Sequence, residues 1–81
     1  MSDAGDRATS RRDAFLRSLL QIGEADRDTC IQLIGLETDL KIPTRETNLK
    51  RWVTDGFVQV NKLGHFELTN GGKRYLAKKY P

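Results

Sequence analysis

Apolar residues recur in this chain with two spacings, and the places where one gives way to the other mark its elements. Phe15, Leu16, Leu19, Leu20 and Ile22 fall at helical intervals and predict a first helix over about 11–22. Ser10 stands before it as an N-cap, with Asp13 three residues on as a variant of the capping box. Gly23 follows as a stop, because glycine accepts the left-handed backbone without steric cost. Thr29 and Gln32 form a second capping box, and Ile31, Leu33, Ile34 and Leu36 supply an apolar face, so a second helix is predicted over about 29–38. Asp39 to Pro43 reads as a turn. A third helix then runs from Pro43 or Thr44 to Thr54, with Leu49, Trp52 and Val53 on its inward side. Packing in the core is the expectation for Trp52.

Asp55-Gly56 ends that helix, and the spacing changes to two. Val58 and Val60, then Phe66 and Leu68, fall on one face, while Gln59 and Glu67 fall on the other. The pattern predicts strands over 57–61 and 65–68, joined by the bend Lys62-Leu63-Gly64. Thr69 or Asn70 caps a last helix reaching about Tyr80, with Leu76, Tyr75 and Tyr80 anchoring it. Gly71-Gly72 weakens its first turn. Residues 1–9 are small and polar and are expected to be disordered. No internal repeat or linker appears. The expectation is one domain over 10–81, mainly α with a small antiparallel β-hairpin, an α+β fold.

Three stretches carry a resemblance. The string Ile34-Gly35-Leu36-Glu37-Thr38-Asp39-Leu40-Lys41 looks like a second helix and its turn. Leu49-x-x-Trp52-x-x-Asp55-Gly56-Phe57-Val58 looks like a third helix handed directly into a strand. Phe66-Glu67-Leu68-Thr69-x-x-Gly72-x-x-x-Leu76 looks like the passage from a hairpin into a final helix. In this order and spacing they resemble the winged helix-turn-helix family of bacterial, archaeal and phage transcription regulators. The resemblance implies a three-helix core with a wing and a C-terminal helix, and Gly35 where helices 2 and 3 cross. Asp39 stands where the family often has glycine, and the left-handed region is the conformation expected of it. Arg45 takes a place that is often apolar, which implies a third helix less deeply buried at its start. The short bend implies a small wing.

Charge changes the picture. The net charge of +3 is unevenly placed. Residues 1–40 carry five Lys/Arg against eight Asp/Glu, and residues 41–81 carry nine against three. The basic half is the half with the third helix and the hairpin, an electrostatic footprint for phosphate. With about 100° per residue, Thr44, Thr47, Asn48, Arg51 and Thr54 fall on or near the face opposite Leu49, Trp52 and Val53, flanked by Lys50 and Arg45. Arg51 has the fork that pairs with guanine, and Asn48 the amide that pairs with adenine. Thr44 and Thr47 can bond a phosphate or a base. Lys41, Lys50 and Lys62 are candidates for phosphate, which positions without specifying. The expected DNA-binding set is therefore Lys41, Thr44, Arg45, Thr47, Asn48, Lys50, Arg51 and Lys62. Arg7, Arg11 and Arg12 read as a basic arm diluted by Asp3, Asp6 and Asp13, and Lys73, Arg74, Lys78 and Lys79 as a solvated face.

The partner expected is double-stranded DNA, bound by a small transcriptional regulator. One small domain contacts few base pairs, so a homodimer or a protein partner is expected beside it. The competing reading is a protein–protein adaptor module that does not bind DNA, with Leu63 at the hairpin tip as a contact. Catalysis is not expected. Cys30 and His65 have nothing to organise them as nucleophile and base, and one Cys with one His cannot make a four-ligand zinc site. No cofactor, small-molecule ligand or membrane segment is expected. A single cysteine and a polar N-terminus without a secretory apolar segment point to the cytoplasm.

Overall fold

Helix α1 spans Asp3–Ile22 in the computed structural model, which describes the backbone of residues 3–81 and side chains from Arg7 onward. The expected N-terminal boundary is thus corrected. Ser10 lies inside the helix rather than capping it, and the segment expected to be disordered is helical from Asp3. The expectation for Met1 and Ser2 lies outside the described residues. Nothing between residues 3 and 10 breaks a helix: there is no proline, and Gly5 costs only about 1 kcal/mol against alanine. Gly23, at φ 96°, ends α1 as its sequence position predicts.

Directly after Gly23 comes β1, Glu24–Ala25, a strand with no sequence signal because two residues cannot show an alternation. Helix α2 spans Arg27–Glu37, two residues earlier than expected. Its cap is Asp26, whose side chain accepts from the Thr29 backbone N–H at 2.8 Å, so Thr29 sits in the first turn instead of capping it. Helix α3 spans Ile42–Thr54, with Pro43 in its first turn, where no N–H is missed. Gly56, at φ 88°, turns the chain into β2, Val58–Val60. Strand β3 is Phe66–Leu68, and α4 is Asn70–Lys79, capped by the Thr69 hydroxyl, which accepts from the Gly72 N–H at 2.9 Å.

The sheet is antiparallel in the order β1-β3-β2, so the two-stranded hairpin gains a third short strand. Glu24 pairs opposite Glu67, and Val58, Gln59 and Val60 pair opposite Leu68, Glu67 and Phe66. Two like charges directly opposite would repel. Asn61 offsets this by donating its side-chain amide to both carboxylates, and His65 lies 3.2 Å from Glu24. Hydrogen bonds from Asn61 and Gln59 hold the Glu67 carboxyl below its ordinary range. The Asn61 side-chain oxygen accepts from the Leu63 and His65 N–H groups and so closes the bend. Of the four apolar strand residues, Val58 and Leu68 are buried and Phe66 half-buried. Val60, at the bend end of the hairpin, is exposed.

The core lies where α1, α2, α3 and the sheet meet. Phe15, Leu16, Leu19, Cys30, Ile34, Leu49, Trp52, Val58, Leu68 and Leu76 are all buried, each large side chain contributing about 1.5–3 kcal/mol. Trp52 stacks on Phe15 with ring centroids 5.1 Å apart, as core packing requires. Burial pushes the Cys30 thiol up to about 12, which leaves it a small packing residue and a poor nucleophile. No helix among the described residues is long and apolar enough to cross a membrane.

The two adjacent glycines of α4 do opposite things. A Cβ at Gly72 would stand 2.4 Å from the Phe57 carbonyl oxygen, a backbone atom that cannot swing aside. A Cβ at Gly71 would meet nothing closer than 3.7 Å. Gly72→Ala is therefore expected to destabilise by about 1–3 kcal/mol through overpacking, whereas Gly71→Ala is neutral or stabilises by up to about 1 kcal/mol through helix propensity. Urea unfolding of the two variants checks this. Equal effects of the same sign would show that α4 does not pack on the Phe57 backbone as described.

Candidate nucleic-acid interface

The turn that sets α3 against α2 is built by two polar side chains. The Thr38 hydroxyl donates to the Ile34 carbonyl at 2.6 Å and accepts from the Leu40 N–H, ending α2 in an extended residue. Arg45 reaches back from α3 and donates its Nε–H to the Leu40 carbonyl at 2.5 Å. Its guanidinium lies over Gly35 so closely that a Cβ there would stand 2.6 Å from the Cζ atom. Arg45, expected to flank the DNA-facing surface, braces the turn here, because a carbonyl left unpaired between two helices draws the nearest donor. The expectation for Asp39 is corrected. Among the described residues no non-glycine has positive φ, and Asp39 instead turns its carboxylate to Arg11, 3.1 Å away.

Beyond this turn α3 presents a polar outer face. Thr44, Thr47, Lys50, Arg51 and Thr54 are all exposed. Thr47 donates its hydroxyl to the Pro43 carbonyl and Thr54 to the Lys50 carbonyl, both bonds within their own helix. Lys41 is exposed at the helix N-cap position, with no side-chain cap bond. Asn48 is half-buried at the edge facing α1, and its amide donates to the Thr44 carbonyl at 3.0 Å. Lys62 is exposed in the hairpin bend beside Leu63, away from the α3 face in sequence and element.

The carboxylates of Glu46 in α3 and of Asp55 at its C-cap are both answered. Arg27 of α2 lies 3.3 Å from Glu46, and Arg51 lies 3.8 Å from Asp55. The Arg51 side chain is still 76% exposed, so that contact is loose and screened by solvent. On one side of the face, Lys50, Val53, Val60 and Phe66 line an open groove of about 440 Å³ between α3 and the hairpin. On the other, a cleft of about 230 Å³ separates α3 from α1, lined by Ala8, Thr9, Arg11, Arg12, Asn48, Arg51, Trp52 and Asp55.

Away from this face sits a polar cluster that sequence reasoning did not find. Asp13 is buried at 1% exposure, between α1 and α4. It accepts from the Tyr75 hydroxyl at 3.0 Å, the Tyr80 hydroxyl at 2.8 Å and Lys79 Nζ at 2.8 Å, with Arg12 Nε–H at 3.3 Å. Arg12 also donates to the Tyr75 oxygen and lies over the Phe57 ring. Burial alone would raise the Asp13 carboxyl, but the bonds from Lys79, Tyr80 and Tyr75 outweigh it and hold it below its ordinary range. The same bonds raise Tyr80 and Lys79 above theirs. Lys79 stays exposed with Lys73, Arg74 and Lys78, but its ammonium group is held by Asp13. A helical aspartate carries no sequence sign of burial. The one hint was its position three residues before Leu16, on the edge of the apolar stripe.

Comparison with known protein families, curated proteins and solved structures finds none that matches the chain.

Proposed function

We propose that this chain is a winged helix-turn-helix protein that binds double-stranded DNA, with α3 entering the major groove, and serves as a small transcriptional regulator. The observation that carries the reading is the outer face of α3. Thr44, Thr47, Lys50, Arg51 and Thr54 are exposed and bonded, where bonded at all, to their own helix or to a loosely held carboxylate. Such side chains can turn to bases and phosphates at little cost. The element order supports it: two helices joined by a short turn, then a hairpin whose inner strand β3 is extended by β1, then a closing helix. Phosphate contacts supply most of the affinity, which falls with salt. A homodimer or a protein partner would extend the contacted sequence.

The expected result of titrating the protein with random duplex DNA is a set of amide shifts centred on residues 44–51 that weakens as salt rises. Shifts confined to the hairpin tip or the α2 surface, or none at low salt, would reject it. The second reading is a protein–protein module that does not bind DNA. It is favoured by Leu36, Ile42 and Leu63, which are 81%, 56% and 72% exposed.

A further inference from the structure

We propose that the cleft between α1 and α3 is a phosphate site, in which Arg11 and Arg51 hold one backbone phosphate of a DNA strand. This rests on the DNA-binding reading and adds α1 to the interface. Because α1 continues to Asp3, it carries Thr9, Arg11 and Arg12 alongside Asn48, Arg51 and Trp52 of α3. Among the described residues three arginines line this cleft, and each has one carboxylate within reach: Arg11 has Asp39, Arg12 has Asp13 and Arg51 has Asp55. The strand flanking a groove occupied by α3 would pass this cleft, because Asn48 and Arg51 belong both to the cleft wall and to the margin of the outer face.

The three arginines divide the work. Arg12 is committed to Asp13 and Tyr75 and stacked over Phe57, so it contributes charge to the cleft rather than a free fork. Arg11 and Arg51 are parked on surface carboxylates, Arg11 on Asp39 at 3.1 Å and Arg51 on Asp55 at 3.8 Å. Asp39 is 84% exposed. Ion pairs of that kind are weak and yield readily to a better acceptor. A phosphodiester offers two oxygens to an arginine fork, a geometry lysine does not match. Asp39 thus competes with DNA for Arg11.

The test measures the affinity of the full chain for a labelled random-sequence duplex as a function of salt, by fluorescence anisotropy. Arg11→Gln is expected to weaken binding severalfold for all sequences alike and to lower the slope of log affinity against log salt by about one. Asp39→Asn is expected to tighten binding in the wild-type background and to lose that gain when combined with Arg11→Gln, since it acts by releasing Arg11. An unchanged slope in Arg11→Gln, or an Asp39→Asn gain that survives without Arg11, would overturn the cleft while leaving DNA binding by α3 intact. Failure of the wild-type protein to bind duplex at low salt would overturn both. A parallel titration with inorganic phosphate separates the sources. Amide shifts at Thr9, Arg11 and Arg51 with phosphate alone, and none there with duplex, would make this a free-anion site and reject the assignment to a DNA strand. Both substitutions are at exposed or half-exposed side chains, and circular dichroism of each variant confirms folding.

Discussion

Replacing Lys50 and Arg51 together by alanine is expected to weaken duplex binding by roughly thirtyfold to a thousandfold, or about 2–4 kcal/mol, and to lower the salt slope by about two. Both side chains are exposed, and neither packs in the core, so the fold should persist. Alanine is the best helix former, which favours α3 if anything. The loss has two parts of different character. On the proposed reading Lys50 would give a point charge to phosphate, and its loss would weaken binding to all sequences equally. Arg51 gives a fork that can take guanine or phosphate, so its share reports whether sequence is read. Thr47→Ala, by contrast, removes a hydroxyl already bonded to Pro43 within the helix, and a smaller effect follows. Anisotropy at two salt concentrations measures all of this. A loss under threefold in the double variant would take α3 out of the interface and favour the protein-module reading.

Asp13→Asn is expected to cost about 2–4 kcal/mol of stability at pH 7. The substitution keeps the shape but removes the charge facing Lys79 and Arg12, and it offers an amide N–H₂ to groups that are themselves donors. Lys79 and Arg12 keep partial access to water, which holds the cost below that of a fully enclosed pair. For a chain of 81 residues, with a total stability of roughly 4–12 kcal/mol, this is a large share. The pH dependence has a definite sign. The folded-state pKa of Asp13 lies below its ordinary value of 3.8, so its contribution is fully present above that value and is lost as pH falls through the lowered one. Wild-type protein therefore loses an increment of stability in acid that Asp13→Asn does not, and the gap between them narrows below about pH 4. Urea unfolding at pH 7 and pH 3 checks both statements. A gap under about 0.5 kcal/mol at pH 7 would show that the α1–α4 cluster is dispensable.

Where sequence and structure part, the cause is usually a contact made at a distance. Thr29 looked like the cap of α2 because a threonine three residues before a glutamine is a local signature, yet Asp26 won the position by bonding the Thr29 N–H itself. Arg45 looked like one more cation on a basic helix. It is a brace because Leu40, five residues earlier, leaves a carbonyl within its reach once the chain turns. Glu24-Ala25 carried no strand signal at all, and becomes β1 only because β3 leaves an edge for it to pair with. Residues 3–9 looked like a tail for want of large apolar side chains, and they are helical as the continuation of a helix anchored further on by Phe15, Leu16 and Leu19.

The sequence by itself determined what periodicity and local chemistry can carry: four helices and a hairpin in the right order, Trp52 facing inward, the stops at Gly23 and Gly56, a cap at Thr69 or Asn70, and a basic half that contains α3. Those features depend on neighbours a few residues away, so they are written in short windows. Tertiary structure alone decided that Asp13 is buried among Tyr75, Lys79 and Tyr80, that Arg45 is spent inside the turn, and that Arg11 shares a cleft with Arg51. Each of these joins groups on different elements, and a charge acquires its role only when folding fixes which other charges, carbonyls and solvent surround it.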